Sequence, residues 1–351
     1  MYNFPTFRRA VMRVLLFTSL ASDQHTAPLR GRTVGIDLGT TNSAIAILTD
    51  GAPEIVPNSR GELTTPSVVS YRADGSVIVG ADAVVEPSCH VLNTVYAAKR
   101  FIGRPFSSVQ AYKAAAGAAV REGNAGEPVF VLPARPDERI RPEEVSAQVL
   151  RALLDDAERH TGLRAERAVV AIPAYFDEQQ RFATLTAARL AGLSEVQLLA
   201  EPVAACVAHQ LKGGTGTILV FDLGAGTYDV SVLRVTPSGA LEVVATSGDA
   251  RLGGNDFDAA LLGWLRKERQ ARLGTASETS DPQLTLPGEL DPEYGTVRKK
   301  LDAKKRRAAA ALRPEGKQRY LPTGSPVDEI VLVGGGTHMV AVSGPHVSAF
   351  R

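Results

Sequence analysis

Two short segments each place an aspartate at the end of an apolar run and follow it at once with a turn of small residues and threonine. They are Val34-Gly35-Ile36-Asp37-Leu38-Gly39-Thr40-Thr41-Asn42 and Val220-Phe221-Asp222-Leu223-Gly224-Ala225-Gly226-Thr227-Tyr228. Each turn leads into a second, alternating apolar run, at residues 44–48 and 230–233. The pattern predicts strand, tight turn, strand, once in each half of the chain. The backbone N–H groups and hydroxyls of such a turn suit phosphate oxygens. An aspartate cannot hold a phosphate, but it can hold a hydrated Mg²⁺ beside one. Two such turns facing each other would grip a nucleoside triphosphate from both sides, which points to ATPase chemistry.

Competing phosphate signatures fail. There is no Gly-x-x-x-x-Gly-Lys-Ser/Thr, hence no P-loop. Gly224-Ala225-Gly226 begins like a dinucleotide fingerprint, but Asp229 stands at the third glycine and the following residues alternate like a strand.

The elements that must carry the two turns are legible in outline. Strands at 67–71 and 77–79 flank the turn Ala73-Asp74-Gly75. Residues 114–126, rich in Ala and Gly, read as a loose surface excursion. Pro142 opens a helix with Val145, Val149, Leu153 and Ala157 on one face and Gly162 at its end. Residues 168–172 are a continuous apolar run of buried-strand type. Asp177 and Gln180 make a capping box for a helix that Gly192 stops. The linker Gly213-Gly214-Thr215-Gly216 opens a second lobe, divided here as 1–32 extension, 33–212 first lobe and 213–351 second lobe. That lobe continues with a strand at 240–246 and a Gly253-Gly254 turn into a helix through Trp264. A long loop at 274–295, a basic helix at 298–312 and a strand at 329–333 complete it.

With 351 residues the chain has room for two cores. A charged content of 22% and a net charge of +1 exclude a global field that would recruit nucleic acid or anionic membrane. The basic run from Arg298 to Arg307 carries no interleaved aromatics, so a solvated helix face is favoured over nucleic-acid contact. Cys89 and Cys206 can form neither a disulfide framework nor a metal cluster and read as buried small residues. No apolar run reaches the ~20 residues of a membrane span, so a soluble protein is expected. Arg8, Arg9 and Arg13 flank the apolar residues 14–17, which fits a transit peptide or a weak secretory signal. A disordered extension, or translation from Met12, is the alternative. The sequence leaves the compartment open between cytoplasmic and, if that segment is a transit peptide, mitochondrial or chloroplast.

From about Thr33 the chain resembles the ATPase domain of the seventy-kilodalton heat-shock (DnaK-type) chaperones, within the actin and sugar-kinase superfamily. The resemblance rests on ordered motifs. After Gly35-Ile36-Asp37-Leu38-Gly39-Thr40-Thr41-Asn42-Ser43 come the stretch from Asn93 to Arg104, Val170-Ala171-Ile172-Pro173-Ala174-Tyr175-Phe176 and Glu201-Pro202-Val203-Ala204-Ala205. Then follow Asp222 to Ser231, Leu252-Gly253-Gly254-Asn255-Asp256-Phe257-Asp258 and Ile330 to Thr337. It implies an α/β, bilobal actin-like ATPase fold (a duplicated ribonuclease H-like unit) with a central nucleotide cleft, the upper part of the second lobe being reduced.

The resemblance also implies roles. Asp37 and Asp222 would hold Mg²⁺ through water, Asp222 also near the attacking water. Gly39, Thr40, Thr41, Asn42, Gly224, Ala225, Gly226 and Thr227 would meet the phosphates of ATP or ADP, spreading the charge of a loose phosphoryl-transfer transition state. Lys99 would reach the γ-phosphate and orient water, while Arg100 faces protein. Glu201 would stand near the metal's water shell; by itself it is equally a helix cap. Pro173 and Arg181 match the family's relay. Gly253, Gly254, Gly335, Gly336 and His338 would line the nucleotide.

Departures accompany the matches. Ala225 replaces a usual glycine, Asn255 a usual glutamate, Gly336 a serine, and His338 an arginine that packs on adenine. The chain ends at Arg351, so the closing helices and the peptide-binding domain are expected to be absent. Co-chaperones such as J-domain proteins and nucleotide-exchange factors are the implied partners. The favoured reading is an ATP-binding, slowly hydrolysing chaperone module. A regulatory module without turnover, and less so a sugar kinase, are the alternatives.

Overall fold

A computed structural model describes residues 32–50, 52–86, 89–208, 216–249, 252–257, 260 and 327–334. The expectations for residues 1–31, the helix toward Trp264 beyond residue 260, the loop at 274–295, the basic helix at 298–312, and Gly335, Gly336 and His338 lie outside them. The chain divides into two compact units between Gly213 and Gly214.

The first unit is built on a hairpin, β1 (Arg32–Asp37) and β2 (Asn42–Thr49), paired antiparallel with Asp37 opposite Ala44. β3 (Ala52–Ile55) extends the sheet and β4 (Thr65–Pro66) pairs with the start of β2. β5 (Val68–Tyr71), β6 (Val77–Val79), helix α1 (Ala81–Val85) and β7 (Thr94–Tyr96) follow, and the three strands form a small antiparallel sheet.

β8 (Ala119–Glu122), β9 (Pro128–Leu132) and β10 (Arg135–Ile140) make a third sheet. β8 corrects the expectation of a loose excursion at 114–126. Ala116, Ala118 and Val120 are buried and Ala119 and Arg121 exposed, the period-two signature of a half-buried strand. Gly117 (φ +75°) is there because a Cβ would sit 2.5 Å from Thr94 O. Small residues mark close packing at this place.

α2 (Pro142–Thr161), β11 (Ala165–Ile172), α3 (Glu178–Leu190), β12 (Glu195–Ala200) and α4 (Glu201–Ala208) complete the unit. β11 lies parallel to β1 and β12 parallel to β11, giving the order β12-β11-β1-β2-β3. α2 starts where the sequence says it should. Pro142 takes the first turn, and the Glu144 carboxylate accepts the Arg141 N–H at 2.7 Å. Val145, Val149, Leu150, Leu153, Leu154 and Ala157 bury its apolar face, each large side chain contributing roughly 1.5–3 kcal/mol. Gly162 closes it in the left-handed conformation. α3 has both halves of its capping box, Gln180 N–H to Asp177 Oδ1 and Asp177 N–H to Gln180 Oε1.

The sheet has a large-residue face and a small-residue face. Val34, Ile36, Ile45, Ile47 and Val170 belong to the main core. Ala44, Ala46, Val169 and Ala171 face the other way, against Ala204 of α4. Alanine lets α4 approach closely on this side.

The second unit repeats the scheme. β13 (Gly216–Leu223) and β14 (Tyr228–Val235) form an antiparallel hairpin, β15 (Leu241–Asp249) joins β14, and β16 (Glu329–Val333) lies parallel to β13. Phe221, Leu223, Tyr228 and Val230 pack with Leu252 and Phe257 on one face. In both units the strand ending in the turn therefore has an antiparallel partner on one side and a parallel one on the other. The two hairpins are structural copies.

Of the cysteines, Cys206 is buried as expected. Cys89 is only half-buried, a correction: it stands after α1 with its Sγ 3.9 Å from the Asp82 carbonyl oxygen, next to the exposed His90.

Candidate functional site

Asp37 is the last residue of β1, beside Ala44 on β2 and Ala171 on β11. That register puts its side chain on the small-residue face, the face α4 covers. Glu201 is the first residue of α4, and its Oε1 accepts a hydrogen bond from Lys99 Nζ at 2.7 Å. The ion pair is largely buried, with 11% of the lysine and 23% of the glutamate side chain exposed.

Lys99 is held by backbone and by core. It sits in a short 3-10 turn, Ala98–Arg100, preceded by Ala97 at φ +54°. A left-handed alanine costs about 1–2 kcal/mol, a local strain the surroundings must offset. The fully buried Phe101 and Ile102 offset it, with Phe101 edge-on to Phe130 at 5.3 Å. Gly103 (φ +63°) completes the anchor, because a Cβ there would stand 2.5 Å from Gln180 Cα. Lys99 Nζ lies 5.9 Å from the centre of the Phe176 ring, a cation–π contact, and the Arg181 Nε–H binds Phe176 O at 3.0 Å. Arg100 turns to protein, its guanidinium 5.6 Å from the Tyr112 ring centre.

The turn after β1 is tightly built. A Cβ on Gly39 would fall 2.1 Å from Asn42 O, so no other residue fits without moving backbone. Ser67, which no sequence signal marked as functional, closes on this turn. Its Oγ–H binds Gly39 O at 2.8 Å and its N–H binds Thr41 O at 2.8 Å. Thr40 and Thr41 are half-buried beside it.

The turn after β13 is braced in another way. The Gly224 N–H binds Thr227 O at 2.9 Å, closing the turn. The N–H groups of Gly254 and Asn255 bind Gly224 O at 2.9 Å and Ala225 O at 2.7 Å. Asp256 caps that segment, its carboxylate accepting the Gly253 N–H at 2.8 Å. Asn255 acts through its backbone, so the change from the usual glutamate leaves this brace intact. Gly253 is required by contact: a Cβ would stand 2.5 Å from Gly226 N.

Asp222 lies beside Val333 on β16 and directly opposite Asp229 on β14. Like charges at opposite positions disfavour the pair unless a cation compensates. In the sequence Asp229 reads only as the residue that breaks a dinucleotide fingerprint; the signal for a charged pair is a second aspartate seven residues after Asp222 on an alternating strand. Gly334 (φ +85°) follows β16, where a Cβ would come within 2.4 Å of Asp222 Oδ1. In the first unit Asp37, Gly39, Thr40, Thr41 and Asn42 follow one another at the end of β1, and Lys99 meets Glu201, the first residue of the helix that covers the face Asp37 is on. The second brings together Asp222, Gly224, Ala225, Gly226, Thr227, Gly253 and Gly254.

A mixed α/β protein with this repeated hairpin has the actin-like ATPase fold. Residues 33–304 match the family model described as "Hsp70 protein". The chain belongs to the Hsp70 family. It is 40% identical over 345 residues to "Chaperone protein dnaK3" of Thermosynechococcus vestitus, covering 89% of this chain and 50% of that one. It is 38% identical over 344 residues to "Chaperone protein dnaK" of Cyanidioschyzon merolae, covering 89% and 56%. With a "Chaperone protein DnaK" of Thermus thermophilus it shares 40% over 355 residues, covering 89% and 55%. The chain spans about half the length of these curated relatives. Among the described residues, no helix is long and apolar enough to cross a membrane.

Proposed function

We propose that this chain is the ATP-binding, slowly ATP-hydrolysing module of a DnaK-type chaperone. One observation carries the reading: each unit has an aspartate at the end of a central strand (Asp37, the last residue of β1) or one residue before it (Asp222 in β13), followed by a turn whose carbonyls are pinned from within the unit. In a trans peptide the N–H points opposite to the C=O, so pinned carbonyls leave the turn's amides directed away from the brace. Amides fixed in that way receive phosphate oxygens without reorganisation.

Gly39, Thr40, Thr41 and Asn42 of the first unit, and Gly224, Ala225, Gly226 and Thr227 of the second, are assigned to the phosphates of ATP or ADP. Gly253 and Gly254 shape the second turn, and Gly335, Gly336 and His338 are assigned to the adenosine end. Lys99 offers its ammonium to the γ-phosphate and keeps its water in line, with Glu201 holding the lysine in place. The catalytic set is Lys99, Glu201, Asp222 and Thr227.

The donors suit Mg²⁺. Among the described residues no three His, Cys, Asp or Glu side chains converge into a direct metal shell. Half-buried carboxylates at strand ends instead fit a cation that keeps its waters, as Mg²⁺ does. Asp37, Asp222 and Glu201 would hold it through water, with Asp229 supplying charge beside Asp222. When bound it neutralises charge developing on the phosphates. Partners of the module are co-chaperones, J-domain proteins and nucleotide-exchange factors.

Calorimetry with ADP and Mg²⁺, followed by Mg²⁺-dependent ATP hydrolysis, tests the reading. Binding with slow turnover is expected. A purified chain that binds no ATP at millimolar concentration overturns it, and binding without turnover would favour a regulatory module.

A further inference from the structure

Ser67 lies between β4 and β5, 28 residues from the turn it touches, and is only 6% exposed. It makes three contacts there. Its Oγ–H binds Gly39 O, its N–H binds Thr41 O, and its Oγ is 2.8 Å from Ser43 Oγ. A serine hydroxyl has one proton, and Gly39 O takes it, so Ser43 is the donor to Ser67. We propose that Ser67 is the positioning residue of the 39–42 turn, orienting its amides toward a nucleotide polyphosphate. This rests on the ATPase reading of the same turn.

Holding Gly39 C=O turns the Thr40 N–H away from Ser67, and holding Thr41 C=O turns the Asn42 N–H away as well. One residue thereby sets two peptide planes in a turn whose first glycine already leaves no room for a Cβ. In the second unit two main-chain amides, of Gly254 and Asn255, do the same for Gly224 and Ala225. In the first unit half of that task falls to a side chain. It is therefore open to substitution.

The test compares three variants of the full chain by ADP·Mg²⁺ calorimetry, with thermal unfolding of the nucleotide-free protein as the check on folding. Ser67→Ala removes the hydrogen bond to Gly39 O and should weaken ADP binding about tenfold. Ser67→Thr keeps the hydroxyl and should stay within about twofold of the unsubstituted chain. Ser43→Ala removes the other hydroxyl of the buried pair, leaves both carbonyls pinned, and should also retain ADP affinity. Equal losses in Ser67→Ala and Ser43→Ala would mean that only buried packing matters, and would overturn the proposal. So would unchanged affinity in Ser67→Ala. If the unsubstituted chain binds no nucleotide, the ATPase reading has failed and the role assigned to Ser67 falls with it.

Discussion

Lys99 Nζ lies 2.7 Å from Glu201 Oε1, joining two residues 102 positions apart in the chain. One arrives on a strained 3-10 turn, the other as the first residue of a helix laid on the alanine face of the sheet. Removing either partner takes this contact from a charge that stays partly buried. Lys99→Ala is expected to lower ATP turnover on the order of a hundredfold while ADP affinity falls far less. In a double-mutant cycle with Glu201→Ala, urea unfolding should show a coupling of about 1–3 kcal/mol. Additive losses would argue against a functional pair.

Adjacent glycines should respond oppositely. A Cβ on Gly253 would press on Gly226 N and on Ala225 C and O at 2.5–2.6 Å, all backbone atoms. On Gly254 the nearest atoms would be at 3.7 Å, ordinary contact. Gly253→Ala is expected to displace the second turn and abolish nucleotide-induced thermal stabilisation. Gly254→Ala should keep it. Differential scanning fluorimetry with and without ADP·Mg²⁺ reads both.

Tyr228 is buried against Phe221, with ring centres 4.8 Å apart, and its hydroxyl has no hydrogen-bond partner among the described residues. Burial pushes the phenol pKa well above its usual value, with the Asp229 charge adding to the effect. A buried hydroxyl without a partner costs the fold the water it gave up. Tyr228→Phe should therefore be neutral or stabilising by about 1 kcal/mol in urea unfolding. A loss of more than that would reveal a hidden partner.

Asp156 on α2 has its carboxyl pKa raised by burial, against the lowering effect of a hydrogen bond from Arg159 at 2.6 Å. The folded chain thus binds this proton more tightly than the unfolded chain. Between the ordinary aspartate value and the raised one the folded state holds more protons, so this group's contribution to stability improves as pH falls through that interval. At neutral pH it is a constant penalty. Asp156→Asn removes the dependence. Its stability relative to the unsubstituted chain should be highest at neutral pH and shrink as pH drops through the window, measured by urea unfolding at each pH. A difference independent of pH would contradict the assignment.

Much of the fold was legible because its signals are local. An apolar run ending in aspartate before Gly or Ala and Thr is a strand meeting a turn, and both hairpins formed at those residues. Pro142, Gly162 and the Asp177–Gln180 box act on neighbouring peptide groups, so the two long helices of the first unit could be bounded without knowing what they pack against. The misreading at 114–126 shows the limit. Small residues look the same in a chain with nothing to pack as in one pressed against β7, and only Gly117 meeting Thr94 O distinguishes them.

Which side chains share a site depended on order in space. Asp37 and Glu201 lie on one side of the sheet because β11 inserts between β1 and β12 and α4 folds back over alanines. Ser67 meets Gly39 from 28 residues away, a contact that no short-range pattern encodes, and Asp222 meets Val333 through a parallel pairing from the far end of the chain. Motif and cap are matters of adjacent atoms, settled by the chain's own chemistry. The partners of Lys99, Gly39 and Asp222 are long-range contacts, and they exist only once burying the two faces of the sheet has decided where each strand must lie.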